Sequence, residues 1–117
     1  MPDKTALDQK MKDFVKGVSE CAEVCLYTHA YCMRQGGEHA EPMHMNVMMD
    51  CDKICDTTAK YGLRESQNLD QLAEVCGDIC RQCAESCEQD QFAEDEKMRT
   101  CAETCRECQE TCENWSA

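Results

Sequence analysis

Two stretches, CGDICRQCAESC (residues 76–87) and CAETCRECQETC (residues 101–112), carry one spelling written twice. Cys76, Cys80, Cys83 and Cys87, and again Cys101, Cys105, Cys108 and Cys112, read C-x3-C-x2-C-x3-C. At about 100° per residue, the four positions of each quartet fall within about 60° of one another around a helix axis. That stripe is narrower than the ~100° apolar face of an ordinary surface helix. A 4-3-4 spacing this narrow is the seam of a helix packed against other helices in a bundle. Here the seam is sulfur, and two such helices facing each other fill the space between them with thiols.

The same spacing runs outward through the rest of the chain. Leu7, Met11, Phe14, Val18, Cys21, Cys25, Thr28 and Cys32 form an unbroken series, apolar at first and then sulfur. Asp3 or Thr5 is the expected N-cap of this first helix, and Gly36-Gly37 its end. A second helix is expected from Pro42, a residue suited to a first turn, to Gly62. Its seam is His44, Met48, Cys51, Cys55, Thr58 and Gly62. Asn68, with Gln71 three residues later, opens a third helix that carries Leu69 and Leu72 before its cysteines. A connection over residues 89–93 leads to a fourth helix at about Glu94–Asn114, with Met98 ahead of its quartet and Trp115 after it. No strand-period run appears. The expected fold is all-α: a single domain over residues 1–117, an antiparallel up-down-up-down four-helix bundle with a cysteine-lined core. Residues 1–20 are read as an apolar N-terminal extension of helix one.

Composition bounds the function. Leu, Ile, Val and Phe number only 14 of 117 residues, so 13 Cys and 8 Met must also serve as core. The net charge of −12 argues against nucleic acid and anionic membrane as partners. No apolar run approaches the ~18 residues of a membrane span. Met1-Pro2-Asp3-Lys4 opens no export signal, so a cytoplasmic protein is expected, the alternative being an exported form whose leader has been removed.

Thirteen cysteines cannot all pair within one chain, and thiols at i, i+4 suit a disulfide poorly. A redox C-x2-C wants a strand-loop-helix setting, and zinc knuckles want tight turns. Iron–sulfur clusters want four ligands converging from loops. Cysteine as a small hydrophobe accounts for one or two buried thiols, not for a whole seam that Leu or Ala would fill without risk of oxidation. Many soft monovalent ions along the bundle axis fit better, because thiolate and thioether select Cu(I). Each Cu(I) that displaces one thiol proton leaves the interior's charge unchanged, whereas Zn(II) in four thiolates leaves two negative charges in a dry core. Six i, i+4 pairs are available: Cys21/Cys25, Cys51/Cys55, Cys76/Cys80, Cys83/Cys87, Cys101/Cys105 and Cys108/Cys112, with Cys32 left over. The alternative is a thiol-redox or Zn(II)-buffering protein.

These C-x3-C pairs on all four helices, from Cys21 to Cys112, resemble the bacterial copper storage protein family. The resemblance implies a bundle holding many Cu(I) ions, a homotetramer, copper entry at a His- and Met-bearing mouth, and no catalysis. It names no copper donor or acceptor protein. Thr28 and Thr58 depart from the pattern, occupying slots that could hold Cys. In an antiparallel bundle Met33, Met43, His44, Met45, Met48 and Met98 share one end. Leu7, Met11, Phe14, Leu63, Leu69, Leu72 and Trp115 share the other, as an apolar plug. His44, Met48 and Met98 continue the cysteine seams in register and are the expected entry ligands, so that changing all three to Leu slows copper uptake and removal and spares capacity. His29 is read as a flank residue and His39 as solvated.

Overall fold

The computed structural model describes residues 7–115. Four helices follow in order: α1 (Gln9–Gln35), α2 (Pro42–Leu63), α3 (Leu69–Cys87) and α4 (Glu96–Trp115). Two short 3-10 turns, Gly37–Ala40 and Asp90–Phe92, sit in the α1–α2 and α3–α4 connections. Contacts between helices fix the directions. Along α1 and α2, Cys32 meets His44, Cys21 meets Cys51 and Gly62 lies against Val15. As one number rises the other falls, and the same holds for α2–α3 (Cys51 with Cys80, Cys55 with Cys76), for α3–α4 (Glu88 with Arg106, Asp70 with Trp115) and for α1–α4 (Phe14 with Trp115, Cys32 with Met98). Neighbouring helices are therefore antiparallel.

The seams are the buried stripes. On α1 they are Met11, Phe14, Val18, Cys21, Cys25, Thr28 and Cys32, and on α2 His44, Met48, Cys51, Cys55, Thr58 and Gly62. On α3 and α4 the eight quartet cysteines, Leu69 and Met98 are buried, joined by Ala73, Gly77, Ala84 and Ala102, whose small side chains let the two helices close on the sulfur. The described part of the N-terminal segment is continuous with α1, and Met11, Phe14 and Val18 on it are buried in the core.

Several helix ends differ from expectation. Helix α1 starts at Gln9, capped by the Asp8 carboxylate, which accepts the Met11 N–H at 2.9 Å. Asp3 and Thr5 lie outside the described residues, and Leu7 precedes the helix. Gly36, at φ 68°, ends α1 as expected, its N–H bonding the Cys32 carbonyl. Gly62 does not close α2; it is a helical residue on which a Cβ would stand 2.9 Å from Val15 Cγ2, so its role is close approach of α1. Asn68 sits at the N-cap of α3 without a side-chain bond, its backbone N–H instead reaching Ser66 Oγ. Helix α4 begins at Glu96, two residues later than expected, because Asp95 takes the capping role: Oδ1 accepts from Lys97 and Met98 N–H.

The plug end is assembled from fewer residues than expected. Phe14 packs on Trp115 with ring centroids 4.6 Å apart, and Trp115 Nε1–H donates to Asp70. Met11 and Leu69 are buried with them, Leu72 is half-buried, and Leu63 stands exposed on the surface.

Candidate metal centre

All thirteen cysteines are free and buried. The helices bring them together across the bundle more than along it. Cys21, Cys55, Cys80 and Cys108 form one group of sulfurs lying within 4.8 Å of one another; Cys21, Cys25, Cys51 and Cys105 form a second; Cys25, Cys83, Cys101 and Cys105 a third; Cys76, Cys108 and Cys112 a fourth. Cys21, Cys25, Cys105 and Cys108 each belong to two groups, so the groups run into one another along the axis. Of the six i, i+4 pairs expected to hold ions, three (Cys21/Cys25, Cys101/Cys105 and Cys108/Cys112) share a group. Cys51/Cys55 and Cys76/Cys80 are divided between groups, with Cys51 and Cys55 facing sulfurs of α3 instead, and Cys83 stands in a group without Cys87, which is in none. Contacts such as Cys55 Sγ to Cys76 and Cys80 Sγ, both 3.6 Å, and Cys25 to Cys105 Sγ, 3.7 Å, show the spacing.

That spacing suits a metal. With a metal–sulfur bond of about 2.3 Å, as in zinc thiolates, three sulfurs in a plane around one ion stand about 4.0 Å apart. Sulfurs already 3.6–3.9 Å apart therefore need only small rotations to close on ions between them. Without metal, burial works toward the protonated thiol at each of these positions. Burial, first among its causes, raises the Cys32 thiol to about 12. Cys83 and Cys112 are also raised, through S–H contacts with Cys101 and Cys108 respectively and through burial. Ion entry must then release protons, which a monovalent soft ion does one for one.

At the opposite end from Trp115 the stripe changes ligands. Cys32 Sγ lies 3.6 Å from both His44 Nε2 and Met98 Sδ, and Met48 is fully buried on the same seam as His44. His44 is held by Ser86 Oγ at Nδ1, 2.7 Å, and its imidazole is kept neutral by burial, which lowers its pKa. A thiol with a neutral ring nitrogen and a thioether both beside it is a mixed soft-metal donor set. Met33 and Met43, grouped with these residues in sequence, point to solvent, and Met45 is half-buried.

This end is covered. Phe92, 1% exposed, stacks on His44 with centroids 4.8 Å apart and touches His39 at the same distance. His39 is not simply solvated: its Nε2 lies 2.7 Å from Asp95 Oδ2, which also accepts the Tyr31 hydroxyl at 2.7 Å. Burial pushes the Asp95 carboxyl up, and the bonds from Tyr31, His39 and Met98 N–H pull it below its ordinary value, so it stays an anion. Asp95 thus ties α1, the α1–α2 connection and the start of α4 together over the His44 end. Neither Phe92 nor Asp95 was among the expected site residues. Phe92 lies in a connection where no periodicity marks it, although Asp95 three residues before Met98 is a readable N-cap signal. His29 is half-buried and outside every sulfur group, as a flank residue would be. Thr58, one turn beyond Cys55 on the seam, is fully buried with no partner for its hydroxyl.

Comparison with known proteins gives a consistent family. The sequence matches the description "Copper storage protein" over residues 7–117. A crystal structure of a Nitrosospira multiformis protein is 33% identical, with a TM-score of 0.85 over 94% of this chain and 97% of its own. The structure of the Cu(I)-bound copper storage protein BsCsp3 shares the fold, at 22% identity and a TM-score of 0.84, over 93% of this chain and 100% of its own. An uncharacterised cysteine-rich protein of Bacillus subtilis, YhjQ, is 21% identical over 81 residues, 69% of this chain and 75% of that one. With its family match spanning both hairpins and every cysteine of the core, the chain belongs to the copper storage protein family.

Proposed function

We propose that this protein stores Cu(I), holding many ions inside the bundle on Cys21, Cys25, Cys32, Cys51, Cys55, Cys76, Cys80, Cys83, Cys87, Cys101, Cys105, Cys108 and Cys112. The observation that carries this is the set of overlapping sulfur groups drawn from all four helices. Separate cages of four thiolates would serve a few Zn(II) ions, but groups that share members serve ions bridged by common sulfurs. The family match and the Cu(I) bound by BsCsp3 support the same reading. The role is storage rather than catalysis.

In this reading His44, Met48 and Met98, with Cys32, receive ions and pass them inward, since imidazole and thioether hold Cu(I) less tightly than thiolate. The protein assembles as a homotetramer through the α1–α2 hairpin. Six of the seven large apolar side chains exposed among the described residues lie there (Leu26, Tyr27, Met33, Met43, Met49 and Leu63), and only Val75 lies on α3. Titration of the reduced, metal-free protein with Cu(I) against a competing chelator tests the storage reading. Many tight equivalents support it; a few Zn(II) equivalents bound in preference, or a readily cycled disulfide, would favour a buffering or redox protein.

A further inference from the structure

Sulfur comes nearest to solvent on α3 and α4. Ten of the thirteen cysteines are 0% exposed; the exceptions are Cys87 and Cys108 at 2% and Cys112 at 3%, all on these two helices. Cys112 forms part of the wall of a groove of about 520 Å³ between them. Gly77 stands opposite it: a Cβ there would lie 3.2 Å from Cys112 Cβ. A glycine in the middle of a helix costs about 1 kcal/mol relative to Ala, and here its missing side chain lets α3 approach α4 while Cys112 itself stands uncovered in the groove wall. The groove is acidic, with Asp70, Glu74, Asp78 and Glu113 against the single cation Arg81. A second groove reaches Cys87, but the Arg106–Glu88 ion pair, 2.6 Å, spans the two helices there.

We propose that the Gly77–Cys112 groove is a side port through which a small cationic or neutral thiol withdraws Cu(I) from the Cys76–Cys108–Cys112 group. The proposal rests on the storage reading. Cys112 shares its group with Cys108, which also belongs to the next group inward, so ions leaving at the port are replaced from the interior. The exchange is a ligand substitution without oxidation. The incoming sulfur bonds to Cu(I), the bond from Cu(I) to Cys112 Sγ breaks, and the proton of the incoming thiol ends on Cys112. Four carboxylates against one guanidinium concentrate cationic thiols and repel anionic ones. The port lies on the hairpin away from the exposed apolar side chains assigned to assembly, so a tetramer built on α1–α2 leaves it free.

The test has an arm that needs no copper. The reduced, metal-free full chain is treated with methanethiosulfonates of similar size, one bearing a trimethylammonium group and one a sulfonate, and the modified cysteine is located by peptide mass spectrometry. Cys112 is modified first, about tenfold faster by the cation at low salt, and the gap closes in high salt. The double variant Glu74→Lys/Glu113→Lys, which changes two exposed side chains, abolishes the preference. First reaction at Cys32 or Cys87, or indifference to reagent charge, overturns the port. In the second arm, copper-loaded protein is challenged with cysteamine. Gly77→Ala, whose methyl presses on Cys112, slows withdrawal several-fold, and withdrawal as fast as from the parent chain overturns the proposal. Should Gly77→Ala fold poorly, the charge-reversal variant carries this arm, slowing withdrawal by cysteamine but not by a neutral thiol. Labelling of Cys112 as expected in a protein that takes up no copper would support the opening and overturn the storage reading.

Discussion

Removing Phe92 asks whether the α3–α4 connection seals the His44 end. Phe92 is nearly fully buried, stacked on His44 and in contact with His39. Replacing a buried Phe by Ala costs about 3–5 kcal/mol, from lost burial and the cavity left behind. Phe92 lies in a 3-10 turn beside an exposed connection that can settle into the gap, so the lower figure, about 3 kcal/mol, applies. For a chain of this size that loss lowers the melting temperature by roughly 10–15 °C. Phe92→Leu keeps most of the volume and costs less than about 1.5 kcal/mol. Urea unfolding of the reduced apo-protein, followed by circular dichroism and by Trp115 fluorescence at the far end, measures both. Stopped-flow loading of the Ala variant at a temperature where it remains folded should show faster arrival of the first Cu(I) with unchanged capacity. A cost below about 1 kcal/mol, or loading no faster than in the parent chain, would refute the reasoning that Phe92 is the cover of this end.

The apo-protein should already be helical, since its core is filled by buriable thiols, Met and Ala; a random coil that folds only with copper would replace the bundle by a metal-nucleated chain. Replacing Cys83 with Ser should lower capacity by about one or two ions, because Cys25, Cys101 and Cys105 remain in its group; total loss of binding would instead indicate one cooperative cluster. Gly17→Ala should stabilise by about 0.5–1 kcal/mol in denaturant melts, as its new methyl meets only Thr111 at ordinary contact distance. Gly62→Ala should not stabilise, because its methyl would press on the branched Val15 side chain at 2.9 Å.

The seams were legible because a 4-3-4 spacing fixes angle around a helix, and angle decides which face is buried. Met11 through Cys32, His44 through Gly62 and both quartets stand where spacing puts them. Spacing does not fix how far one helix slides along another. The partition of sulfurs into cross-helix groups, which divides Cys51 from Cys55, therefore could not be read in advance. Nor does it reach the connections: Phe92 and His39 owe their positions to tertiary contacts with His44, Tyr31 and Asp95. Glycine commonly ends helices, so from sequence Gly62 looks like a helix stop, whereas the close approach of α1 is what requires it.

Whether sulfur in this interior is a store can be measured directly. The measurement is an anaerobic titration of the fully reduced apo-protein with Cu(I) against a high-affinity Cu(I) chelator, with metal and thiol counted independently. Bridging thiolates, about one ion for each thiol, predict that the protein outcompetes the chelator until about thirteen Cu(I) are bound per chain, with the helical signal retained. Saturation at one or two ions, or loss of free thiols to disulfide in place of copper uptake, would contradict the storage function.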